Sequence, residues 1–244
     1  MQVTGNKSLI SNSLSIRLGA DGLSFYITDS ADGRLLEQRH FSVTQGDTLL
    51  SLLGRVLGSP AFTRVEYARV SVLVDSPSTR VPLQEFRDDE VQAVYRLVFG
   101  DVNLQGEVVR HDVLSALEIV ELYPVDLQAE LVVKQYFPQS EWHSFYGQML
   151  EHTGALYRRS QTTAQTMYVV TRASQMLVTV FSPSGLLFAN TFRTPSNANR
   201  RYFILNVWKQ LEMSQDDDIC VLMDEEEELQ QMLEQYVTVQ RQEQ

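Results

Sequence analysis

The feature that most constrains the fold is a pattern of three short β-runs joined by tight turns, which occurs twice. The first copy is "LSIRLGADGLSFYITDSADGRLLEQRHF", residues 14–41, and the second is "TMYVVTRASQMLVTVFSPSGLLFANTF", residues 166–192. Apolar and polar residues alternate along the runs of the first copy, as is typical of half-buried strands. The third runs, "GRLLEQRHF" and "GLLFANTF", begin at Gly33 and Gly185. The pattern predicts two three-stranded units of similar design. In the first copy the predicted strands are Leu14–Leu18, Leu23–Asp29 and Arg34–Val43.

A helix and a further strand follow each three-stranded unit. After the first unit, residues 44–58 predict a helix that Asp47 can cap, and "ARVSVLVDS" predicts a strand. After the second, Ser196 or Asn197 can cap a helix, "DICVLMD" predicts a strand, and a last helix begins near Asp224. Two unrelated meanders are the alternative interpretation. The shared order of helix and strand favours a duplicated α/β unit of the βββαβα type with mixed sheets.

The segment between the two units predicts further mixed structure. The runs "GEVVRHDVL" and "LEIVELYP" predict two strands that can pair with each other. A helix is predicted from Asp126 to Phe137, where Pro138 stops it. The run "EWHSFYGQMLEH" predicts a strand that leads into a helix.

Composition excludes several classes of function. The chain has 244 residues, 43% of them hydrophobic, which is typical of a globular protein with a real core. Its net charge of −11 argues against nucleic acid and against anionic membrane surfaces as partners. No run reaches the ~18 apolar residues of a membrane span, and the first residues lack the regions of a signal peptide, so the cytoplasm is the expected compartment. Cys220, the only cysteine, lies in an apolar run and is predicted to be buried and inert.

Four stretches carry a resemblance to a known family: "LSIRLGADGLSFYITD", "RVPLQEF" after the fourth strand, "LLFANTF" and "RRYFILNVWKQLEM". In these stretches the chain resembles a bacterial family of unknown function, domain of unknown function 3822. More distantly, the chain is similar to the cytoplasmic actin-like protein of type IV pilus assembly. The resemblance implies a duplicated ribonuclease H-like (actin-like ATPase) fold. It further implies a first half over residues 1–160, with a small inserted subdomain at about 77–115, and a second half over 161–244.

The resemblance also implies where a nucleotide site would lie. Actin-like ATPases open with a hairpin that reads like "IDLGT", in which the Asp orders a metal-bound water and the Gly and Thr approach phosphate. The matching residues here are Ile16, Arg17, Leu18, Gly19 and Ala20. A guanidinium has no lone pair for Mg²⁺, and Ala20 has no hydroxyl, so two chemical positions of this element are lost.

The other two nucleotide elements also depart from the family pattern. Where a second hairpin reads like "DIGGGT", this chain has "VVTRASQ", without a carboxylate or a glycine. Where a Gly-Gly step normally lies against adenosine, it has "DICVLMDEEEELQQM". Consecutive side chains of a helix point around its axis, so Glu225–Glu228 would make a poor metal cage. Their predicted role is structural: Asp224 caps the helix, and the glutamates face its positive end.

Two hypotheses about function follow from these replacements. The preferred one is a non-catalytic actin-like fold that acts as an interaction or scaffold module for an unknown protein partner, with no catalytic residue and no metal. The alternative is a divergent ATP-binding protein that uses the degenerate phosphate turn formed by Arg17, Gly19, Ala20 and Asp21. ATP and Mg²⁺ are disfavoured as cofactors, and the oligomeric state stays open. A two-metal nuclease of the same fold could use Asp75 at the end of the fourth strand, but Arg17 replaces the carboxylate it needs on the first.

Overall fold

The computed structural model describes residues 12–63, 65–100, 104–172, 174–224 and 226–242. The chain forms two compact units. The first contains the described residues of 1–76, 89–111 and 122–145, and the second those of 77–88, 112–121 and 146–244. No helix within the described ranges is both long and apolar enough to cross a membrane.

The described residues form both strands and helices. The strands are β1 (Asn12–Gly19), β2 (Gly22–Asp29), β3 (Leu35–Ser42), β4 (Arg69–Val74), β5 (Thr79–Pro82), β6 (Glu107–Leu114), β7 (Ile119–Asp126), β8 (Glu141–Ser144), β9 (Thr166–Arg172), β10 (Gln175–Ser182), β11 (Gly185–Arg193), β12 (Ile219–Leu222) and β13 (Val239–Arg241). The helices are α1 (Leu49–Gly58), α2 (Pro60–Thr63), α3 (Val91–Phe99), α4 (Leu127–Tyr136), α5 (Phe145–Ser160), α6 (Asn197–Gln210) and α7 (Glu227–Leu233).

A five-stranded mixed sheet with the order β3-β2-β1-β4-β8 organises the first unit. Strands β1, β2 and β3 pair antiparallel, whereas β4 runs parallel to β1 and β8 runs parallel to β4. The period-2 pattern of β1 buries Leu14, Ile16 and Leu18, which pack with α1 and α4. The three strands, the helix and the fourth strand predicted for this region are therefore confirmed.

A second five-stranded sheet has the matching order β11-β10-β9-β12-β13. Its first three strands pair antiparallel, and β12 runs parallel to both β9 and β13. Helices α6 and α7 supply Ile204, Trp208, Leu229 and Leu233 to its core. The element order predicted for residues 166–233 is confirmed, and both sheets have the same strand order and the same strand directions.

The segments between the two three-stranded units form the strands and helices that the sequence predicts. Strands β6 and β7 lie side by side in a three-stranded sheet of order β5-β7-β6, as predicted. Helix α4 begins after Asp126, whose carboxylate accepts hydrogen bonds from the backbone N–H groups of Gln128 (2.7 Å) and Ala129 (2.9 Å). Strand β8 leads directly into α5, which confirms the predicted strand-to-helix transition.

The cap of α1 differs from the prediction by one residue. Asp47 was the predicted cap, but Thr48 fills this role, and its hydroxyl accepts from the backbone N–H of Ser51 at 3.1 Å. The Asp47 carboxylate instead accepts from Arg55 at 2.6 Å. Thr and Asp are both good N-caps, so adjacent candidates compete, and here Asp47 pairs with Arg55, eight residues further along the chain, while Thr48 caps the helix.

Cys220 lies in β12 and is fully buried in the core of the second unit. Burial raises the pKa of its thiol to about 12, because the charged thiolate loses its hydration. The prediction of a buried, inert thiol is confirmed for its burial, and the raised pKa gives the physical reason for low reactivity.

Candidate functional site

The first hairpin turn connects β1 to β2 and carries the residues predicted as a degenerate phosphate turn. Gly19 pairs with Gly22, and Ala20 and Asp21 form the turn between them. Gly22 has a φ of +137°, and a Cβ there would lie 2.1 Å from the carbonyl oxygen of Phe41. Gly22 therefore supplies the positive φ that this hairpin turn requires.

Arg17 forms the centre of an ion cluster next to this turn. Its side chain is 4% exposed. The Nε donates to Asp75 Oδ2 at 2.9 Å, and Nη2 donates to the same oxygen at 2.5 Å. Toward Asp21, Nη2 donates at 3.0 Å and Nη1 at 3.2 Å. The guanidinium carbon also lies 5.6 Å from the centre of the Phe145 ring. One guanidinium therefore joins two carboxylates across the turn.

The sheet topology brings the three charged residues together. Strand β4 lies parallel to β1, and the backbone N–H of Asp75 donates to the carbonyl of Leu18 at 2.8 Å, which continues the ladder by one residue. Asp75 therefore follows β4 at the edge where β1 enters its turn. Asp21 lies four residues after Arg17, on the far side of that turn. Sequence reasoning considered Asp75 only as a nuclease ligand and missed its contact with Arg17.

The electrostatics of the cluster keep Arg17 charged and leave a net charge of −1. Burial by itself lowers the pKa of Arg17, but the charge and hydrogen bonds of Asp75 and Asp21 outweigh it and raise that pKa. The side chain of Asp75 is only 6% exposed, whereas that of Asp21 is 35% exposed. The carboxylate of Asp75 thus depends on Arg17 for compensation.

Gly19 has a steric role within the cluster. A Cβ on this residue would lie 2.6 Å from Asp21 Oδ1 and 2.8 Å from Arg17 Nη2. Real Cβ atoms do not approach other heavy atoms so closely, so any larger residue would displace one of the two charged groups. The glycine that matches a phosphate-binding position in the family pattern is therefore required here by an internal ion pair.

A second polar cluster lies in the other unit, where β9 ends beside the segment after β12. The Asp224 carboxylate accepts from the backbone N–H of Thr171 at 2.7 Å, from its hydroxyl at 3.2 Å, and from Arg172. The Glu226 carboxylate accepts from the Thr171 hydroxyl at 2.9 Å and from Arg200 at 2.9 Å. Two carboxylates thus occupy a set of donors that would otherwise be able to bind an anion.

The role predicted for Asp224 is wrong. Helix α7 begins at Glu227, its N-cap is Glu226, and no side chain makes a capping hydrogen bond there. Asp224 instead bonds to the end of β9, 53 residues away in sequence. Of the glutamates considered as a metal cage, Glu225 lies outside the described residues. Within the ranges that the structure describes, no three His, Cys, Asp or Glu side chains are grouped to hold a metal ion.

Comparison with known proteins identifies the family of the chain and its fold. A family model described as "Protein of unknown function" matches residues 6–239. A Bacteroides thetaiotaomicron protein with an actin-like ATPase fold and unknown function superposes with a TM-score of 0.83 at 24% identity, over 96% of this chain and 91% of that chain. A chain of the PilM–PilN type IV pilus biogenesis complex superposes with a TM-score of 0.52 at 10% identity, over 94% and 88%. No curated protein matches the sequence.

The structural likenesses show the fold and nothing finer, since both are below 25% identity. They confirm the predicted α/β fold of the actin-like ATPase class, and the more distant likeness agrees with the predicted similarity to the pilus-assembly protein. The family model spans nearly the whole chain. The protein therefore belongs to the DUF3822 family, whose function is unknown.

Proposed function

We propose that this protein is a non-catalytic member of the actin-like fold that acts as an interaction or scaffold module for another protein. The observation that carries the proposal is the buried contact between Arg17 and Asp75. The resemblance to actin-like ATPases assigns the position of Arg17 to the aspartate that orders a metal-bound water. A guanidinium cannot coordinate Mg²⁺, so the chemistry expected of that position is lost.

The charge of the cluster further disfavours a bound triphosphate. In the alternative hypothesis, Arg17 would contact a phosphate of ATP. Its Nε, Nη1 and Nη2 already donate to Asp75 and Asp21, and the cluster as a whole carries one negative charge. A phosphate would have to displace one carboxylate and then lie next to it, and like charges at such distances repel strongly away from bulk water.

The second cluster supports the same proposal. The backbone N–H and hydroxyl of Thr171 are groups that bind phosphate well, as are Arg172 and Arg200. Asp224 and Glu226 accept hydrogen bonds from all three of these residues. In both units, charged side chains of the chain itself therefore engage the groups at positions that the family resemblance assigns to nucleotide binding.

Binding of a protein partner is another role that this fold commonly supports. The PilM–PilN complex, whose chain has a similar fold, is by its description a complex for type IV pilus biogenesis. By analogy, we propose that a protein partner binds this chain, and that it acts in the cytoplasm. The net charge of −11 disfavours nucleic acid as that partner.

Titration of the purified protein with Mg-ATP tests the proposal. A ligand at 100 times its Kd stabilises the native state by about 2.7 kcal/mol, which shifts the Tm of a domain of this size by roughly 5–10 °C. We expect no saturable shift and no phosphate release with millimolar Mg-ATP, Mg-ADP or Mg-GTP. Hydrolysis, or a shift that Arg17→Ala abolishes, would overturn the proposal in favour of the divergent ATP-binding protein.

A further inference from the structure

A pocket of about 430 Å³ opens on the first unit, and none of the three charged residues of the Arg17 cluster lines it. Its floor is apolar and is formed by Phe41, Leu52, Val56 and Phe62. These residues belong to β3, α1 and α2, and Leu52, Val56 and Phe62 are buried in the core of the unit. The volume lies within the range of sites that hold one or two large side chains or a small ligand.

The rim of the pocket is basic, although the chain as a whole is acidic. Arg39 and Arg55 are among the eight lining residues, and no acidic residue is. The guanidinium of Arg39 lies 5.1 Å from the centre of the Phe62 ring, which holds it at the rim. Arg39 also contacts Glu37, and Arg55 contacts Asp47. Both arginine side chains are about half exposed, at 46% and 62%, so these ion pairs are weak and can exchange for others.

The pocket lies beside an edge of the sheet. Among the described residues, β3 pairs only with β2, so alternate backbone N–H and C=O groups of β3 face outward. Arg39 and Phe41 are two residues apart and project to the same face of the sheet, the face that carries the pocket. The ladder shifts register between Ile27 and Thr28, which pair with the first residues of β3, so the pairing is regular from residue 38 to 42.

We propose that the outer edge of β3 binds an extended, acidic segment of a partner protein as an additional strand. An apolar side chain of that segment enters the pocket, and acidic side chains two residues before and after it contact Arg39 and Arg55. Three features support this occupant: an open backbone ladder, an apolar floor at the same face, and a basic rim on an acidic chain. Strand addition obtains affinity from the backbone and specificity from pockets for alternate side chains. The inference rests on the proposed interaction role and assigns a surface to it.

A panel of labelled heptapeptides provides the probe. Each peptide has the sequence Thr-Glu-Thr-X-Thr-Glu-Thr, in which X is Leu, Phe, Met or Trp, so that X and both glutamates share one face of an extended strand. Matched peptides carry lysine in place of glutamate. We expect fluorescence anisotropy to detect saturable binding of at least one acidic peptide to the full chain, with at least tenfold weaker binding of its lysine counterpart.

Backbone methylation separates strand addition from binding in the pocket alone. Successive N–H groups of a strand face opposite edges, so the peptide is N-methylated in two versions, one on the threonines that flank X and one on the two glutamates. If the peptide adds as a strand, one of these versions should bind at least tenfold more weakly than the unmethylated peptide, which should itself slow hydrogen exchange at residues 38–42. Equal binding of all three peptides would overturn strand addition.

Charge reversal at the two rim arginines tests whether the rim contacts the acidic side chains of the peptide. Arg39→Glu and Arg55→Glu should each weaken the acidic peptide by roughly tenfold and strengthen the lysine peptide, because each replaces an attraction by a repulsion. Arg34→Glu is the matched control, since Arg34 is 68% exposed beside the same strand and does not line the pocket. Circular dichroism verifies that each variant folds. An effect of Arg34→Glu equal to that of the other two would overturn the assignment.

The remaining outcomes also decide the proposal. If no peptide of the panel binds, the inference is wrong. If light scattering detects a dimer that Arg39→Glu dissociates, the occupant is a second copy of this chain, and the proposed partner segment is wrong. Neither result alters the Mg-ATP titration, so failure of this surface is distinguishable from failure of the proposed non-catalytic role.

Discussion

Removal of the guanidinium of Arg17 should be among the most destabilising single changes in the first unit. The substitution Arg17→Met keeps the length and apolar stem of the side chain but leaves the carboxylate of Asp75 without its cation. That carboxylate is 6% exposed, so water cannot replace the lost contacts. Breaking one partner of a buried ion pair costs about 3–5 kcal/mol. Asp21, at 35% exposed, is partly hydrated and should add little.

Urea unfolding measures this cost within the unit concerned. The two tryptophans lie one in each unit, Trp142 in the core of the first and Trp208 in the core of the second. In a Trp208→Phe background, fluorescence follows the first unit alone. At an m-value near 2 kcal/mol/M, a loss of about 4 kcal/mol lowers the urea midpoint by roughly 2 M.

Two further variants show whether the cost comes from an unpaired buried charge. Arg69→Met is the matched control on neighbouring β4, because the side chains of its ion pair with Glu141 are 61% and 50% exposed, and it should cost less than about 1 kcal/mol. The double variant Arg17→Met/Asp75→Leu removes both buried charges and should recover most of the loss. If Arg17→Met costs no more than Arg69→Met, or if the double variant is as unstable as the sum of its single changes, the reasoning is refuted.

Three other predictions concern single residues. In urea unfolding, Gly22→Ala should destabilise the first unit by about 3 kcal/mol or more, since the added Cβ would overlap a backbone carbonyl. Gly33 has a φ of +74° but open space around it, so Gly33→Ala should cost only roughly 1 kcal/mol. Cys220 should resist a thiol reagent in the native protein and react at once in urea, and fast native reaction would contradict its burial. Asp224→Ala should cost about 1.5–3 kcal/mol in the second unit because the backbone N–H of Thr171 loses its acceptor, and a neutral result would contradict the described hydrogen bond.

The arrangement of strands could be predicted from the sequence because it depends on local patterns. Alternation along β1 places Leu14, Ile16 and Leu18 on the buried face, and a hairpin turn fixes the register of its neighbour. The resemblance then supplied the fold class, that of the actin-like ATPases. Positions of glycines with positive φ, such as Gly22, follow from turn chemistry.

The partners of the charged residues could not be predicted, since they are distant in sequence. Arg17 and Asp75 are 58 residues apart, and Thr171 and Asp224 are 53 apart. Local rules made Asp224 a helix cap, but the parallel pairing of β9 with β12 places it beside the unpaired end of β9, where a backbone N–H requires an acceptor. A long-range hydrogen bond therefore outcompeted a local one. A signal that could have indicated this is a polar residue directly after each of two neighbouring parallel strands.

The two clusters give the proposed non-catalytic role a physical basis. A carboxylate as buried as that of Asp75 requires a nearby cation, which a bound metal ion or a basic side chain can supply. Arg17 supplies it from within the chain, and Asp224 and Glu226 likewise supply anions to donors that would otherwise lack acceptors. Charge compensation that comes from the chain itself does not vary with nucleotide or metal concentration. Under the proposed non-catalytic role, the stability of each unit would not depend on a ligand, which is the property that a constitutive interaction module needs.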